Sequence, residues 1–442
     1  MLQTIRNAWK IADLRKKLLF TFAILLLYRI GNVVPVPFVN ATALATVFEM
    51  PEVKGTILGM FNMMSGSAFS KATLFALSIQ PYINASIIIQ LLTIAIPALE
   101  RLSKEGGEEG KKKIERITRY TTVALGLLMG WAYWMMLKNY DASQYGNGLL
   151  VEKNFVAAIT VILSFTAGSA LVMWLGEQIT EFGIGNGISM ILFANIVSRL
   201  PELTLKLIGS KSTQSGLLGD FSGTWYVALV AIVGMLALIM LIVFVTNAER
   251  RLPVSYAKRV VGRKVYGGQN TFLPIKVNMS GVLPIIFAQS VASLPATIAM
   301  FLGKANESNW WYTNVWSNTS IAYLVIYLVL IVAFSYFYAT IQYNPVEIAN
   351  NLRKNGGFIP GYRPGRPTSD FIKRVINKIT LFGAIFLGVV AGLPIVLSMV
   401  STKFANMGIG GTSVIIVVGV ALETVQAIEA QMLMRHYKGF LE

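Results

Sequence analysis

The sequence predicts an all-α membrane protein with ten transmembrane helices, on three observations. Of its 442 residues, 55% are hydrophobic and only 13% charged, with a mean hydropathy of +0.60, which departs from soluble domains in both directions. Ten segments approach the roughly 20 mainly apolar residues that a spanning helix needs. The lysines and arginines between them are unevenly shared between alternate loops, as they are on the two sides of a bilayer.

Taken in order, the spans are expected at about 18–35, 76–97, 117–137, 154–175, 185–201, 225–246, 272–302, 320–343, 376–399 and 410–430. The first is too long an apolar run for a cleavable signal peptide, and no small-residue cleavage site follows it. The seventh is long and contains Pro274, Pro284 and Pro295, so it is expected to be tilted or irregular. Between the first two spans lies Phe61-Asn-Met-Met-Ser-Gly-Ser-Ala-Phe-Ser-Lys-Ala72, apolar but too short and too rich in Gly and Ser to cross.

Ten spans put both termini on one side. Assigning the N-terminal segment, the loops near 101–119, 250–276 and 353–378, and the C-terminus to that side gives it 28 of the 38 Lys and Arg residues. The positive-inside rule makes it the cytoplasm. The net charge of +17 is largely this bias and is weak evidence for nucleic acid.

The residue inventory excludes much chemistry. There is no Cys and only one His, His436, so a thiol nucleophile and a two-His zinc site are both out of reach. No phosphate-binding loop of the form GxxxxGK[ST] occurs, and Gly183-Ile-Gly-Asn-Gly187 has the wrong spacing for a dinucleotide fingerprint. No cofactor is expected. The candidates for a functional charge within the spans are Arg29, Glu423 and Glu429, and the two acids lie late in the last span, where snorkelling or an interfacial pair accounts for them.

Two cytoplasmic loops exceed a short connection. Residues 247–264 alternate basic side chains with Val, Leu and Tyr, as a projecting hairpin would. Gly356-Gly-Phe-Ile-Pro-Gly-Tyr-Arg-Pro-Gly-Arg-Pro367 fixes tight turns that leave Arg363 and Arg366 at its tip. Basic tips suit a large anionic partner, either ribosomal RNA or acidic patches on a soluble motor.

Four blocks carry a resemblance: Trp174-Leu-Gly-Glu-Gln-Ile-Thr-Glu-Phe-Gly-Ile-Gly-Asn-Gly-Ile-Ser189, Gln80-Pro-Tyr-Ile-Asn-Ala-Ser-Ile-Ile-Ile-Gln-Leu-Leu92, Leu273-Pro-Ile-Lys-Val-Asn-Met-Ser-Gly281 and Pro360-Gly-Tyr-Arg-Pro-Gly365. They resemble the SecY/Sec61 family of protein-conducting channels over nearly the whole chain. The resemblance implies two inverted, pseudo-symmetric five-helix halves, about 1–201 and 202–442, around an hourglass pore that also opens sideways to lipid. It implies a pore ring of Ile79, Ile83, Ile188, Leu192, Ile286 and Ile416. Bulky aliphatic side chains offer ions no ligand, yet fit any passing polypeptide. Leu192 stands where an isoleucine is expected, with similar volume.

The same resemblance makes the short segment a plug, a re-entrant helix comprising Phe61, Asn62, Met63, Met64, Ser65, Gly66, Ser67, Ala68, Phe69, Ser70, Lys71 and Ala72. It places Gln90 and Asn278 in the lateral gate, where an amide pair could hydrogen-bond across the closed seam; a static helix contact is the competing reading. The loops would dock SecA and the ribosome through Arg259, Arg263, Lys264, Arg363 and Arg366, and SecE and SecG would be membrane subunits. Signal sequences, preproteins and lipid complete the expected partners, and the bacterial plasma membrane is the expected location. Two rivals stand against this channel: a secondary carrier, since inverted repeats occur there too, and an intramembrane enzyme.

Overall fold

A computed structural model describes residues 2–50, 57–142, 148–199, 201, 225–256, 259–261, 264–266, 270–279, 281–301, 314–315, 320–400 and 411–438. Its first part contains α1 (Leu2–Lys10), α2 (Ala12–Gly31), α3 (Ala41–Glu49), α4 (Ile57–Met64), α5 (Gln80–Ala95), α6 (Pro97–Lys104), α7 (Gly107–Ala142), α8 (Phe155–Phe182) and α9 (Gly187–Val197). The second contains α10 (Trp225–Asn247), β1 (Glu249–Tyr256), β2 (Arg259–Val261), β3 (Lys264–Tyr266), β4 (Asn270–Lys276), α11 (Leu283–Phe301), α12 (Ile321–Gln342), α13 (Pro345–Lys354), β5 (Gly357–Phe358), α14 (Arg366–Val400) and α15 (Gly411–Lys438).

Helices α2, α5, α7 to α12, α14 and α15 fall at the ten expected spans, and the chain is a multi-pass membrane protein. Among the described residues five helical stretches are long and apolar enough to cross by themselves, and α5 with α6 makes a sixth, bent by 104°. The bend lies at Ile96-Pro97: proline cannot donate to the preceding turn, so α6 departs at an angle. Helix α9 has only 11 residues against the 185–201 expected. Asn186 starts it late, its Oδ1 accepting from the Ile188 amide at 3.0 Å.

The seventh span is also shorter than the 272–302 expected, since residues 270–276 form strand β4 and the helix begins at Leu283. Pro274 fits because β4 is an edge of the sheet β4-β1-β5, where a missing N–H is tolerated. Strands β1 and β4 pair antiparallel from Glu249↔Lys276 to Ser255↔Asn270, and β2 pairs with β3 beyond them. The projecting hairpin read from the 247–264 loop is therefore present. Leu252 and Val254 turn inward on it and pack in one cluster with Ile275, Ile359, Ile372 and Ile376.

Close helix approach depends on glycine at two points. A Cβ on Gly168 of α8 would stand 1.9 Å from the Leu74 carbonyl oxygen, and one on Gly187 would stand 1.9 Å from that of Gly176. These contacts seat α8 against the turns that precede α5 and hold α9 against α8. A single cluster of buried side chains then runs through the molecule, drawing on nine of the ten spans from both parts of the chain.

Candidate functional site

The six aliphatic residues of the expected ring meet in that cluster. Ile79, Ile83, Leu192, Ile286 and Ile416 are all at most 3% exposed within it, and Ile188 packs against it partly buried. They come from α5, α9, α11 and α15. Ile79 is the N-cap of α5, one residue outside the helix proper, and its carbonyl accepts from the Ile83 amide at 3.1 Å. That bond keeps the two on one face as the i,i+4 spacing requires.

The segment 61–72 lies beside this cluster, but its helix is displaced from the expected range. Helix α4 runs Ile57–Met64, and residues 65–79 are turns apart from Thr73, which bridges to Pro35. The cause is local: Gly66 adopts φ +65, and the Ser67 amide reaches back to the Asn62 carbonyl at 2.9 Å, a Schellman closure that ends the helix. Ser67, Ala72 and Ser78 also have positive φ, which costs of order 1–3 kcal/mol each.

Several contacts hold this strained segment. Phe69 packs edge-on against Tyr133 at 4.7 Å and Phe48 at 5.6 Å, and Tyr133 Oη donates to the Phe69 carbonyl at 2.7 Å. Asn62 Oδ1 accepts from the Ser70 amide, and Ser65 Oγ accepts from the Phe69 amide, each at 3.0 Å. Asn195 of α9 donates to the Met64 carbonyl at 3.0 Å. A cavity of about 30 Å3, lined by Phe61, Met64, Phe69, Leu77 and Tyr133 among others, separates part of the segment from α7. Sequence reasoning missed Tyr133 and Asn195. Asn195 could have been found as the one amide within the apolar α9 sequence GISMILFANIV.

Across the seam between α5 and α11–α12 the expected Gln90–Asn278 pair does not form. Gln90 Oε1 instead accepts from Tyr338 Oη of α12 at 2.7 Å. Asn278 lies in the bend between β4 and α11, which turns it toward α12 and α14, where it lines a small cavity with Ser335 and Thr380. A second polar contact joins Gln80 Nε2 of α5 to Ser290 Oγ of α11 at 3.3 Å. Gln90–Tyr338 and Gln80–Ser290 thus cross the seam as neutral hydrogen bonds in an apolar setting, and Phe287 packs against Tyr338 at 5.2 Å.

At the loops, Arg363 and Arg366 are exposed, between the positive-φ Gly361 and the start of α14, with Gly365 also at positive φ. Tyr362 stacked on Phe371 at 4.1 Å fixes the tip. Arg259 and Lys264 belong to the paired strands β2 and β3, and Arg263 lies outside the described residues. Of the charged residues near the last span, Glu429 accepts from Thr4 Oγ1 of α1 at 3.1 Å, and Glu423 approaches the backbone of Gly281. Glu429 thus has a polar partner on α1.

A centre built of isoleucine and leucine presents no group to bind a solute and none to react with one. No cluster of His, Cys, Asp or Glu suited to a metal occurs among the described residues. The fold and its aliphatic interior are those of a membrane channel. The SecY family model matches residues 73–425. The protein translocase subunit SecY of Streptomyces scabiei is 42% identical over 445 residues, and that of Corynebacterium glutamicum 41% over 453, each alignment covering 100% of both chains. The chain belongs to the SecY family, whose members are channel subunits of the protein translocase.

Solved structures agree on the fold. A protein-conducting channel superposes with a TM-score of 0.66 at 18% identity over 94% of this chain and 92% of that one. A SecY protein whose plug domain stabilises the closed state matches with a TM-score of 0.64 at 17% identity over the same shares. Sec61 in the canine ribosome-channel complex matches with a TM-score of 0.60 at 16% identity, again over 94% and 92%.

Proposed function

We propose that the chain conducts unfolded preproteins outward across the bacterial plasma membrane and releases hydrophobic segments sideways into lipid, with both termini in the cytoplasm. In this reading residues 1–201 and 202–442 are the two halves. Ile79, Ile83, Ile188, Leu192, Ile286 and Ile416 form the constriction, and the segment 61–72 is its plug. The observation that carries the reading is the gathering of these six side chains from both parts of the chain into one aliphatic cluster beside a short, non-spanning helix and the strained turns that follow it. Aliphatic walls exclude ions by dewetting and deform around any side chain, which selective binding sites cannot do.

The lateral gate is the seam that Gln90 shares with Tyr338 and Gln80 with Ser290, with Asn278 beside its hinge. A hydrophobic signal sequence replaces those weak bonds with apolar contact as it enters. The pore is passive, and the energy comes from SecA or the translating ribosome docked on the basic loop that carries Arg259, Arg263 and Lys264 and on the Arg363 and Arg366 tip. SecE and SecG complete the complex in the membrane. The Sec61 of the canine ribosome-channel complex supports the ribosome as one partner.

Site-directed crosslinking tests the assignment. With a secretory chain stalled part-way and photoreactive groups at Ile83, Ile188 and Ile286, each position should label the chain. Labelling at none of them in an active complex would rule out the constriction.

A further inference from the structure

We infer that Asn195 and Arg29 form a polar latch that grips the backbone of the plug at Met64 and Gly66. The inference rests on reading the segment 61–72 as the plug. Asn195 is completely buried within an apolar helix, where an unexplained amide is costly. Its Nδ2 donates both to the Met64 carbonyl at 3.0 Å and to Ser78 Oγ at 3.1 Å. Ser78 in turn lies 3.3 Å from Tyr28 Oη, so one amide ties α9 to α4, to the turns before α5 and, through Ser78, to α2. Met64 is the last residue of α4, and its carbonyl is one of those a helix end leaves without an intrahelical partner.

The second half of the latch faces Gly66. A Cβ there would stand 3.2 Å from Arg29 Nη1, 3.2 Å from Asn195 Oδ1 and 3.1 Å from the Asn195 carbonyl oxygen. Both Arg29 Nη1 and Asn195 Oδ1 are buried and have no hydrogen-bond partner among the described residues. A donor and an acceptor thus flank a glycine whose φ of +65 already requires that residue type. A side chain at 66 makes these neighbours give by a few tenths of an ångström. Arg29 also sets its cation near the C-terminal end of α4, the negative end of the helix dipole.

The arrangement suits a catch that must release. It holds the Met64 carbonyl through a neutral bond and sets one cation beside Gly66, and does not rely on a large apolar face. When the plug departs, Asn195 and Arg29 lose their contact with it, and water entering the opened cavity can take its place.

Resting ion conductance of the purified channel complex in planar bilayers tests the latch, with a deletion of 61–72 as reference. Asn195→Ala, which removes hydrogen bonds to Met64 and Ser78, should raise the resting open population about 2- to 13-fold per bond lost to the plug. Arg29→Met and Gly66→Ala should raise it in the same direction. A second measurement uses the absence of native cysteine. Gly66→Cys with Asn195→Cys should crosslink on oxidation and block translocation, and reduction should restore it. If the deletion leaks while all three single variants stay as tight as the parent chain, or if the cysteine pair does not crosslink, the latch is wrong and the plug survives. If the deletion itself does not leak, both fall.

Discussion

Removing one hydroxyl from the seam is the sharpest test of the gate. Tyr338→Phe deletes the 2.7 Å hydrogen bond to Gln90 but keeps the ring, which packs against Phe287 at 5.2 Å and Phe337 at 5.9 Å. The change therefore isolates one bond between α12 and α5. Inter-helix hydrogen bonds inside membranes average about 0.6 kcal/mol and reach about 1.7, so opening should become roughly 3- to 18-fold easier. Export of a preprotein with a weakened signal sequence reports it, since such a chain depends on gate opening. The expected outcome is a rise in export rate within that range. Gln90→Leu should produce a similar rise, and the double variant should add little to either, because both remove the same bond. No change in Tyr338→Phe, or full additivity with Gln90→Leu, would refute the assignment of this pair to the gate.

Three further outcomes are expected. Ile286→Asn puts an amide at a position 2% exposed in the aliphatic cluster; it should let water and ions enter the resting channel, seen as a conductance absent from the parent, and a tight Ile286→Asn channel would remove Ile286 from the constriction. Gly168→Ala would place a methyl 1.9 Å from the Leu74 carbonyl; the forced shift of α8 should cost about 1–3 kcal/mol and lower the melting temperature in detergent, and an unchanged melting temperature would contradict the close approach. Arg363→Glu reverses an exposed charge at the tip; SecA-driven translocation into vesicles should fall several-fold, as a rough expectation for losing a charge-assisted contact, while the amount of channel stays constant. Undiminished translocation would exclude Arg363 from docking.

How far the sequence could be read depended on whether the determining forces were local. The spans were legible because every one of them must satisfy the same solvent, and hydropathy records that demand. Hydropathy misleads at 270–276, where the strand sequence NTFLPIK is apolar enough to merge with the helix that follows it. Composition cannot separate the two; the pairing with β1 does. The end of α4 is written in Ser65-Gly66-Ser67, where the glycine supplies the positive φ that closes the helix. Ring residues were individually indistinguishable from packing residues, since isoleucine in an apolar helix has no local mark. The seam was harder still: Gln90 was noticed as a polar residue in a span, but nothing near Tyr338 or Ser290 in sequence discloses a partner more than 200 residues away.

The spacing of the proposed ring has an electrical consequence. Ile188 and Leu192 are four residues apart on α9, as Ile79 and Ile83 are at the start of α5, so the aliphatic rows are about 6 Å deep at 1.5 Å per residue. A bilayer core is about 30 Å thick. If water reaches the rows from both sides, the membrane potential falls across roughly a fifth of the distance it crosses elsewhere, and the field there is about five times steeper. Each elementary charge on a moving chain then gains or loses about 2.3 kcal/mol per 100 mV in a step of one or two residues. With the cell interior negative, acidic residues are drawn outward and basic ones held back at that step. A passive opening of this shape reads the sign of the charge on its cargo without a single charged residue of its own in the ring.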